Sequence, residues 1–473
     1  MGNLTLRTLA GDDVRLDQET VEALGQAVRG RIVTPSDTDY DELRAIWNAM
    51  IDKRPGLIVR CAGAADVARC VDFARERNLL VSVRGAGHNI AGSSIGDGAM
   101  LIDLSAMKSV RVDVERKTVR LEPGVTLGDL DSETQQYGLA TPVGINSTTG
   151  VGGLTLGGGF GWLTRKYGMT TDNLISADVV TAEGKLVQAS AEKNEDLFWG
   201  IRGGGGNFGI VTSFEFRLHP VGPEVLSGMI VHPASDTAGL LRHYRDFVAE
   251  APDELTCWAV LRKAPPLPFL APEVHGTDIV ALAVLYTGDM KKGEKALKKL
   301  REYGKPHADV ISPHPFAGWQ QAFDPLLTPG ARNYWKSHNF PELTDENLDI
   351  VQRFAASLPS DQSEIFVAHL GGAANRVAPD ATAYSHRDAE FVMNVHTRWD
   401  EAKDDERCVS WAREFFDATA PFATGGVYVN FMSEDEGGRV GDAYGPNFKR
   451  LGALKKKYDP ANFFRLNQNI KPA

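Results

Sequence analysis

The sequence predicts an α+β protein in two parts, a glycine-rich N-terminal half and a middle segment of different texture, followed by a C-terminal tail. Three observations carry this. In the first 220 residues amphipathic stretches alternate with short apolar runs: ADVARCVDFARERN (65–78) sets Val67, Val71 and Ala74 on one helical face, and LLVSV follows as a buried strand. Glycine gathers in GVGGLTLGGGFG (150–161) and RGGGGNFG (202–209). From about residue 220 to 425 those clusters vanish. There, strand-like runs such as DIVALAVLY and SEIFVAHLGG alternate with charged helical stretches such as KKGEKALKKLREYG, the pattern of a second α+β domain.

The remaining elements follow in order. MLIDLS, TVRLE and SADVVTAEGKLVQA read as strands, the last as a hairpin turning at Glu183-Gly184. NEDLFWGIR reads as a helix, and IVTSFEFRL as a strand in which Phe214, Phe216 and Leu218 alternate. Pro220 and Pro223 mark the boundary of the first part. GGVYVNFM (425–432) has strand period, with Val427, Val429 and Phe431 facing one way and Tyr428 and Asn430 the other. The tail NFKRLGALKKKYDPANFFRLNQNI reads as a helix to about Tyr458, an Asp-Pro turn and a polar-aromatic end.

Composition narrows the function. A length of 473 residues suggests two to four domains and permits a sizeable ligand. Apolar content of 42% and charged content of 24% are ordinary for a globular protein. A formal net charge of −11 argues against nucleic acid or an anionic membrane as partner, since both select basic surfaces. Cys61, Cys70, Cys257 and Cys408 lie far apart with no C-x-x-C pair, so a reducing compartment is expected. The start MGNLTLRTLAGDD has no signal-peptide pattern, and Leu6 breaks the myristoylation motif. No apolar run reaches membrane-spanning length. The expectation is a cytoplasmic protein; oligomeric state is unreadable.

Two familiar motifs fail on context. Gly204-x-Gly206-x-x-Gly209 satisfies the dinucleotide fingerprint, but a helix precedes it and a strand follows, the reverse of what aims a helix N-terminus at a pyrophosphate. Gly92-Ser93-Ser94-Ile95-Gly96 satisfies the nucleophile elbow G-x-S-x-G, but it lies among loop residues. The eleven histidines include no pair at helical spacing and no H-E-x-x-H, so no metal site is expected.

VSVRGAGHN (81–89) is more telling. Glycine loops after strands let several backbone N–H groups point into one concavity, which suits a phosphate, and Arg84 adds charge beside it. Three such regions suggest one extended ligand wrapped on several sides. His88, at the tip, carries an imidazole whose neutral form is a nitrogen nucleophile near pH 7.

The ordered set VRGAGHN, DLS (103–105), GVGGLTLGGGFGWLTRKYGMTTDN (150–173), GGGGNFGIVTSFEF (203–216) and YDPANFFRLNQNI (458–470) resembles the berberine-bridge-enzyme-like group of the vanillyl-alcohol-oxidase superfamily. The resemblance covers the N-terminal half and the last forty residues. It implies a two-lobed FAD-binding domain over 1–219 (lobes about 25–100 and 101–219), an inserted α+β substrate domain over 220–425, and a segment 426–473 completing the first domain. Arg84, Gly85, Ala86, Gly87, His88, Asn89 and Ser94 would contact FAD from the opening loop, and His88 would bond its 8α carbon. Asn146, Thr149, Gly152, Gly153 and Gly158 would line the cofactor from the second glycine region. Ile210 and Val211 would contact it through backbone, and Asn467 and Gln468 at the isoalloxazine edge. Many members carry a second linking cysteine before G-V-G-G; here Asn146 holds that position, so attachment through His88 alone is expected. Tyr428 would take a proton from a small-molecule alcohol or amine as hydride leaves for the flavin, with Asn430 orienting, and molecular oxygen would be reduced to hydrogen peroxide. Trp335, Lys336 and His386 are further pocket candidates. A dehydrogenase with another acceptor, and a carrier that turns nothing over, remain open at this point.

Overall fold

The structure, a computed structural model, describes residues 3–473. Three main sheets organise it, and the α+β expectation holds. The first sheet takes strands β1 (Arg31–Val33), β2 (Leu57–Arg60), β3 (Val81–Arg84) and β4 (Met100–Asp103) in the order β1-β2-β4-β3. β2 and β3 both run parallel to β4, and β1 is antiparallel to β2. Parallel neighbours need a crossover, and the helix Ala64–Glu76 supplies it. Val67, Val71 and Ala74 on its inner face are fully buried with Leu57, Val59 and Ile102.

The second sheet is antiparallel throughout: β5 (Val110–Asp113), β6 (Thr118–Leu121), β7 (Leu174–Val180), β8 (Leu186–Ser190) and β9 (Ile210–Arg217), in the order β8-β7-β9-β6-β5. The hairpin turn falls at Glu183-Gly184 as its residues predict. The expected lobe boundary at residue 100 cuts through β4, whose pairing with β2 and β3 assigns it to the first sheet.

The third sheet holds eight strands: β10 (Glu224–Pro233), β11 (Leu255–Lys263), β12 (Asp278–Tyr286), β13 (Ala308–Asp309), β14 (Ser312–Pro315), β15 (Arg332–Phe340), β16 (Glu364–His369) and β17 (Phe391–Trp399). Their order is β13-β10-β12-β11-β16-β17-β15, with β14 also on β10, and every pair is antiparallel. Strand period sorts their side chains between two faces. Val280, Leu282 and Val284 enter a core with Leu240, Leu348 and Phe415 from the covering helices. Each such side chain contributes about 1.5–3 kcal/mol by leaving water. The alternate residues face the first two sheets, so this sheet forms a roof over them.

The tail is shared between both lobes. Val427, Met432, Leu451 and Ile470 pack into the core of the second sheet, Phe463 and Phe464 into that of the first. Lys455 is wholly buried in the helix Phe448–Tyr458 and donates to Asp459 (2.7 Å), Asn207 O and Phe464 O (both 2.8 Å). A buried ammonium is tolerable only when paired and fully hydrogen-bonded, and here all three donors are used.

Residues 425–432 do not form a strand. Tyr428 is extended, but Val429–Phe431 turn into a short 3₁₀ segment. Among the described residues no strand pairs with this stretch. The turn instead brings the Asn430 amide within 2.9 Å of the Tyr428 hydroxyl.

Candidate active site

Between the two lobes, under the third sheet, lies a cavity of about 360 Å³. Its floor is backbone: the loop Gly85–Asn89 after β3, the segment from Gly150, the turn at Gly205–Gly206 before β9, and the tail at Asn467–Gln468. Gly150 is required by close approach, since a Cβ there would stand 2.9 Å from the Ala86 Cβ. Gly153 differs. A Cβ there meets nothing within 4 Å, so the space above it is open for a ligand.

His88 stands at one wall, stacked on Trp47 with ring centroids 5.3 Å apart. Its Nε2 is 2.9 Å from Thr148 Oγ1, and its Nδ1 is 3.4 Å from Thr149 Oγ1. The local hydrogen bonds assign its tautomer. The Thr148 backbone N–H donates to Asn146 Oδ1 (3.0 Å), so that atom is an acceptor. The Thr148 hydroxyl, 2.7 Å from the same oxygen, must spend its single proton there. Thr148 Oγ1 can then only accept from His88, which places the imidazole proton on Nε2 and leaves Nδ1 unprotonated, with only the long contact to the Thr149 hydroxyl (3.4 Å) upon it. Burial pushes the His88 pKa down to about 4, so the ring is neutral at pH 7.

Tyr428 is 1% exposed, beside Phe160 and Phe431 at ring-centroid distances of 4.9 Å each. Its oxygen accepts from the Gly159 backbone N–H (3.0 Å) and from Asn430 Nδ2 (2.9 Å), whose other proton goes to Leu154 O (3.1 Å). Burial raises the phenol pKa, the two donors lower it, and the balance is about 12. Above the floor, Glu364 and Phe366 from β16 and Asn394 and His396 from β17 form the ceiling with Trp335 from β15. Burial would raise the Glu364 pKa, but Arg262 Nη1 at 2.7 Å, His396 and Arg398 outweigh it and bring it to about 2. Burial pushes His396 down from its ordinary value.

The comparisons with known proteins agree with this arrangement. Residues 55–190 match the family described as FAD binding domain, and residues 427–471 the family described as berberine and berberine like. The chain is 32% identical over 468 residues to (R)-6-hydroxynicotine oxidase of Paenarthrobacter nicotinovorans, covering 94% of this chain and 97% of that protein. It is 31% identical over 460 residues to an FAD-linked oxidoreductase of Dictyostelium discoideum, covering 96% and 97%. The crystal structure of 6-hydroxy-D-nicotine oxidase from Arthrobacter nicotinovorans superposes with a TM-score of 0.85 at 30% identity, over 94% of this chain and 98% of that one.

The chain belongs to the berberine-bridge-enzyme-like family. It is an FAD-dependent oxidoreductase with the fold of that family. The residues present suit the cofactor: the glycine floor leaves open space above Gly153 and Gly206, and Ser94 Oγ and Asn467 Oδ1 are buried without a protein partner. No helix among the described residues is long and apolar enough to cross a membrane. Among them, too, no three His, Cys, Asp or Glu side chains are grouped to hold a metal ion.

Most of the residues singled out by this berberine-bridge-enzyme-like sequence pattern meet at the cavity. Gly85, Ala86, Gly87, His88, Asn89, Ser94, Asn146, Thr149, Gly152, Gly153, Ile210, Val211, Tyr428, Asn430, Asn467 and Gln468 all line it. Arg84 does not. Its guanidinium is buried against Asp103, its register partner on β4 (2.9 and 3.3 Å), a carboxylate that Arg60 also approaches (3.4 Å), and against Ala45 O (3.2 Å), so its donors are turned away from the cavity. Gly158 also stands outside, packed beneath the Tyr428 ring. Of the middle-domain candidates, Trp335 joins the ceiling. Lys336 points away to Asp435 and Glu436 (3.5 Å each), and His386 donates to Ala443 O (2.9 Å).

Sequence reasoning missed Trp47, Glu364, Phe366, Asn394 and His396. A signal existed for two of them. Glu364 is a lone carboxylate in the apolar run SEIFVAHL, and strand period sets it on the same face as Phe366.

Proposed function

We propose that this enzyme is an oxidase that removes hydride from the carbon bearing an alcohol or amine on a small molecule, with FAD attached through His88 alone. One observation carries the proposal: a single cavity holds a neutral imidazole with its Nδ1 unprotonated and a buried phenol oxygen gripped by two N–H donors. FAD, when bound there, supplies the hydride acceptor and passes the electron pair to oxygen, giving hydrogen peroxide. The chain's residues do the rest. His88 Nδ1 is the attaching nucleophile, held in that tautomer by Asn146 and Thr148. Gly152, Gly153 and the Gly205–Gly206 turn hold the cofactor by backbone. Asn467 and Gln468 border it from the tail.

The carbon that loses hydride must also release a proton from its oxygen or nitrogen. Tyr428 takes it as phenolate, the form that the Gly159 and Asn430 donors favour. A pKa of about 12 leaves only a small phenolate fraction at neutral pH. Oxidation of an alcohol therefore rises about tenfold per pH unit across the neutral range. An amine whose nitrogen lone pair drives hydride departure needs no such base, and its rate follows the amine's own titration. The test is anaerobic reduction of purified holoprotein by alcohols and amines, followed by admission of air. Oxidase chemistry predicts recovery of the oxidised flavin spectrum within seconds together with peroxide. Recovery only on addition of another acceptor would make the enzyme a dehydrogenase, and no reduction by any substrate would make it a carrier.

A further inference from the structure

We propose that the substrate is an elongated apolar aromatic molecule rather than an oligosaccharide, with its reacting end beside Tyr428 and its remainder in a second chamber; this rests on the oxidase reading of the site. The second chamber, about 430 Å³, lies under the same face of the third sheet. Ile145, Trp258, Leu327, Glu364 and Phe366 line both spaces, so the chambers meet along a common wall. Ile145 and Phe366 in that wall are only half-buried. The chamber alone has the size of a pocket for a drug-sized ligand.

Its chemistry is one-sided. Trp162 stacks on Trp258 (4.5 Å between ring centroids) and lies 5.3 Å from Trp319 and 6.0 Å from Phe323, making a continuous aromatic side. Beside it on the same sheet face, β12 contributes the residues that alternate with its core set, Ile279, Ala281 and Ala283, the last being the register partner of Trp258. The charged and imidazole groups on the wall already have protein partners. Glu364 and Arg262 neutralise each other at 2.7 Å, and His314 Nδ1 is 2.9 Å from Ser227 O. The indole N–H groups of Trp162, Trp258 and Trp319 are buried and have no protein hydrogen-bond partner. A sugar entering here would lose water from all of its hydroxyls and find too few donors and acceptors on this mostly apolar wall to replace it. A flat apolar ring system would instead shed unfavourable hydration and gain aromatic contacts. Phe269, 37% exposed, sits at the rim, where an apolar ligand would first meet the protein.

The experiment uses purified holoprotein and the neutral fluorescent probe N-phenyl-1-naphthylamine. Saturable probe fluorescence is expected, and Ala281→Phe, which projects a ring from β12 into the chamber, should weaken binding at least tenfold with flavin absorbance unchanged. Where Ala281→Phe does not accumulate, Gly318→Phe gives the same test from the opposite wall, since a Cβ there meets only Pro315 Cβ at 3.9 Å. In parallel, anaerobic flavin reduction is compared between biphenyl-type alcohols and amines and the disaccharides cellobiose and xylobiose. The aromatic set should reduce the flavin at concentrations at least tenfold lower. No saturable binding, equal affinity in the chamber-filling variants, or more effective reduction by the disaccharides would overturn the proposal while leaving the oxidase reading intact. Protein that purifies without flavin absorbance would instead sink the oxidase reading, and this is seen before any probe is added.

Discussion

The floor and the ceiling of the cavity are built by different means. The floor is backbone supplied by three short glycine-rich stretches and the tail, each contiguous in sequence. The ceiling is side chains, one or two from each of β15, β16 and β17, brought together only by strand pairing. A backbone cradle accepts one shape of ligand and is specified locally. A ceiling of alternating side chains can change at its apolar positions, such as Phe366, while the strand pairing that carries it stays in place. On the proposed reading the cofactor belongs to the floor and substrate choice to the ceiling, because function resides in the site rather than the scaffold.

That division can be broken most severely at the floor. Gly153→Leu fills space that no protein atom occupies and improves helix propensity, so the chain should still fold. We expect near-complete loss of flavin, read as absorbance per protein, with the thermal unfolding of the apoprotein held. Retention of full flavin would show that the ligand does not pass over Gly153. Tyr428→Phe lies at the junction of floor and ceiling. It should retain flavin and lower the rate of alcohol oxidation by about 10²–10⁴-fold. The sign of the pH effect follows from the raised pKa: the wild-type rate climbs as pH rises toward about 12, and the variant's profile should be flat. A parallel slope in both would remove Tyr428 as the base.

The ceiling should respond more gently. Phe366→Ala is expected to keep flavin content and raise KM for an apolar substrate about tenfold, the loss of one buried ring contact. A drop in flavin content would mean that the ceiling also holds the cofactor. The smallest effect is expected at Thr148→Ala, which frees the His88 tautomer. The fraction of flavin that stays with denatured protein should fall severalfold, and Thr148→Ser should restore it. An unchanged fraction would break the tautomer argument.

The same contrast explains what could be read from the sequence. The strands and helices of both halves were legible from their periods, and the glycine stretches announced the floor because backbone exposure has a compositional mark. Arg84 was misplaced because a charge at a strand end looks free until its register partner is known; Asp103 is nineteen residues on. Residues 425–432 alternate as a strand does, yet alternation cannot reveal that no partner strand lies there among the described residues. Most of the ceiling was hard to read because its residues meet only through strand pairing; of them the sequence pointed out Trp335 alone. Trp47, which stacks on His88, is held by Leu327 O at a separation of 280 residues, and no local pattern encodes such a contact.

The account rests on FAD bound over the glycine floor and bonded to His88. The direct measurement is flavin fluorescence in the protein band after acid denaturation and gel electrophoresis, with His88→Ala alongside. We expect a fluorescent wild-type band and a dark variant band whose flavin appears free in the supernatant. A dark wild-type band with free flavin would contradict the covalent attachment, and a variant band as bright as the wild type would place the bond on another residue.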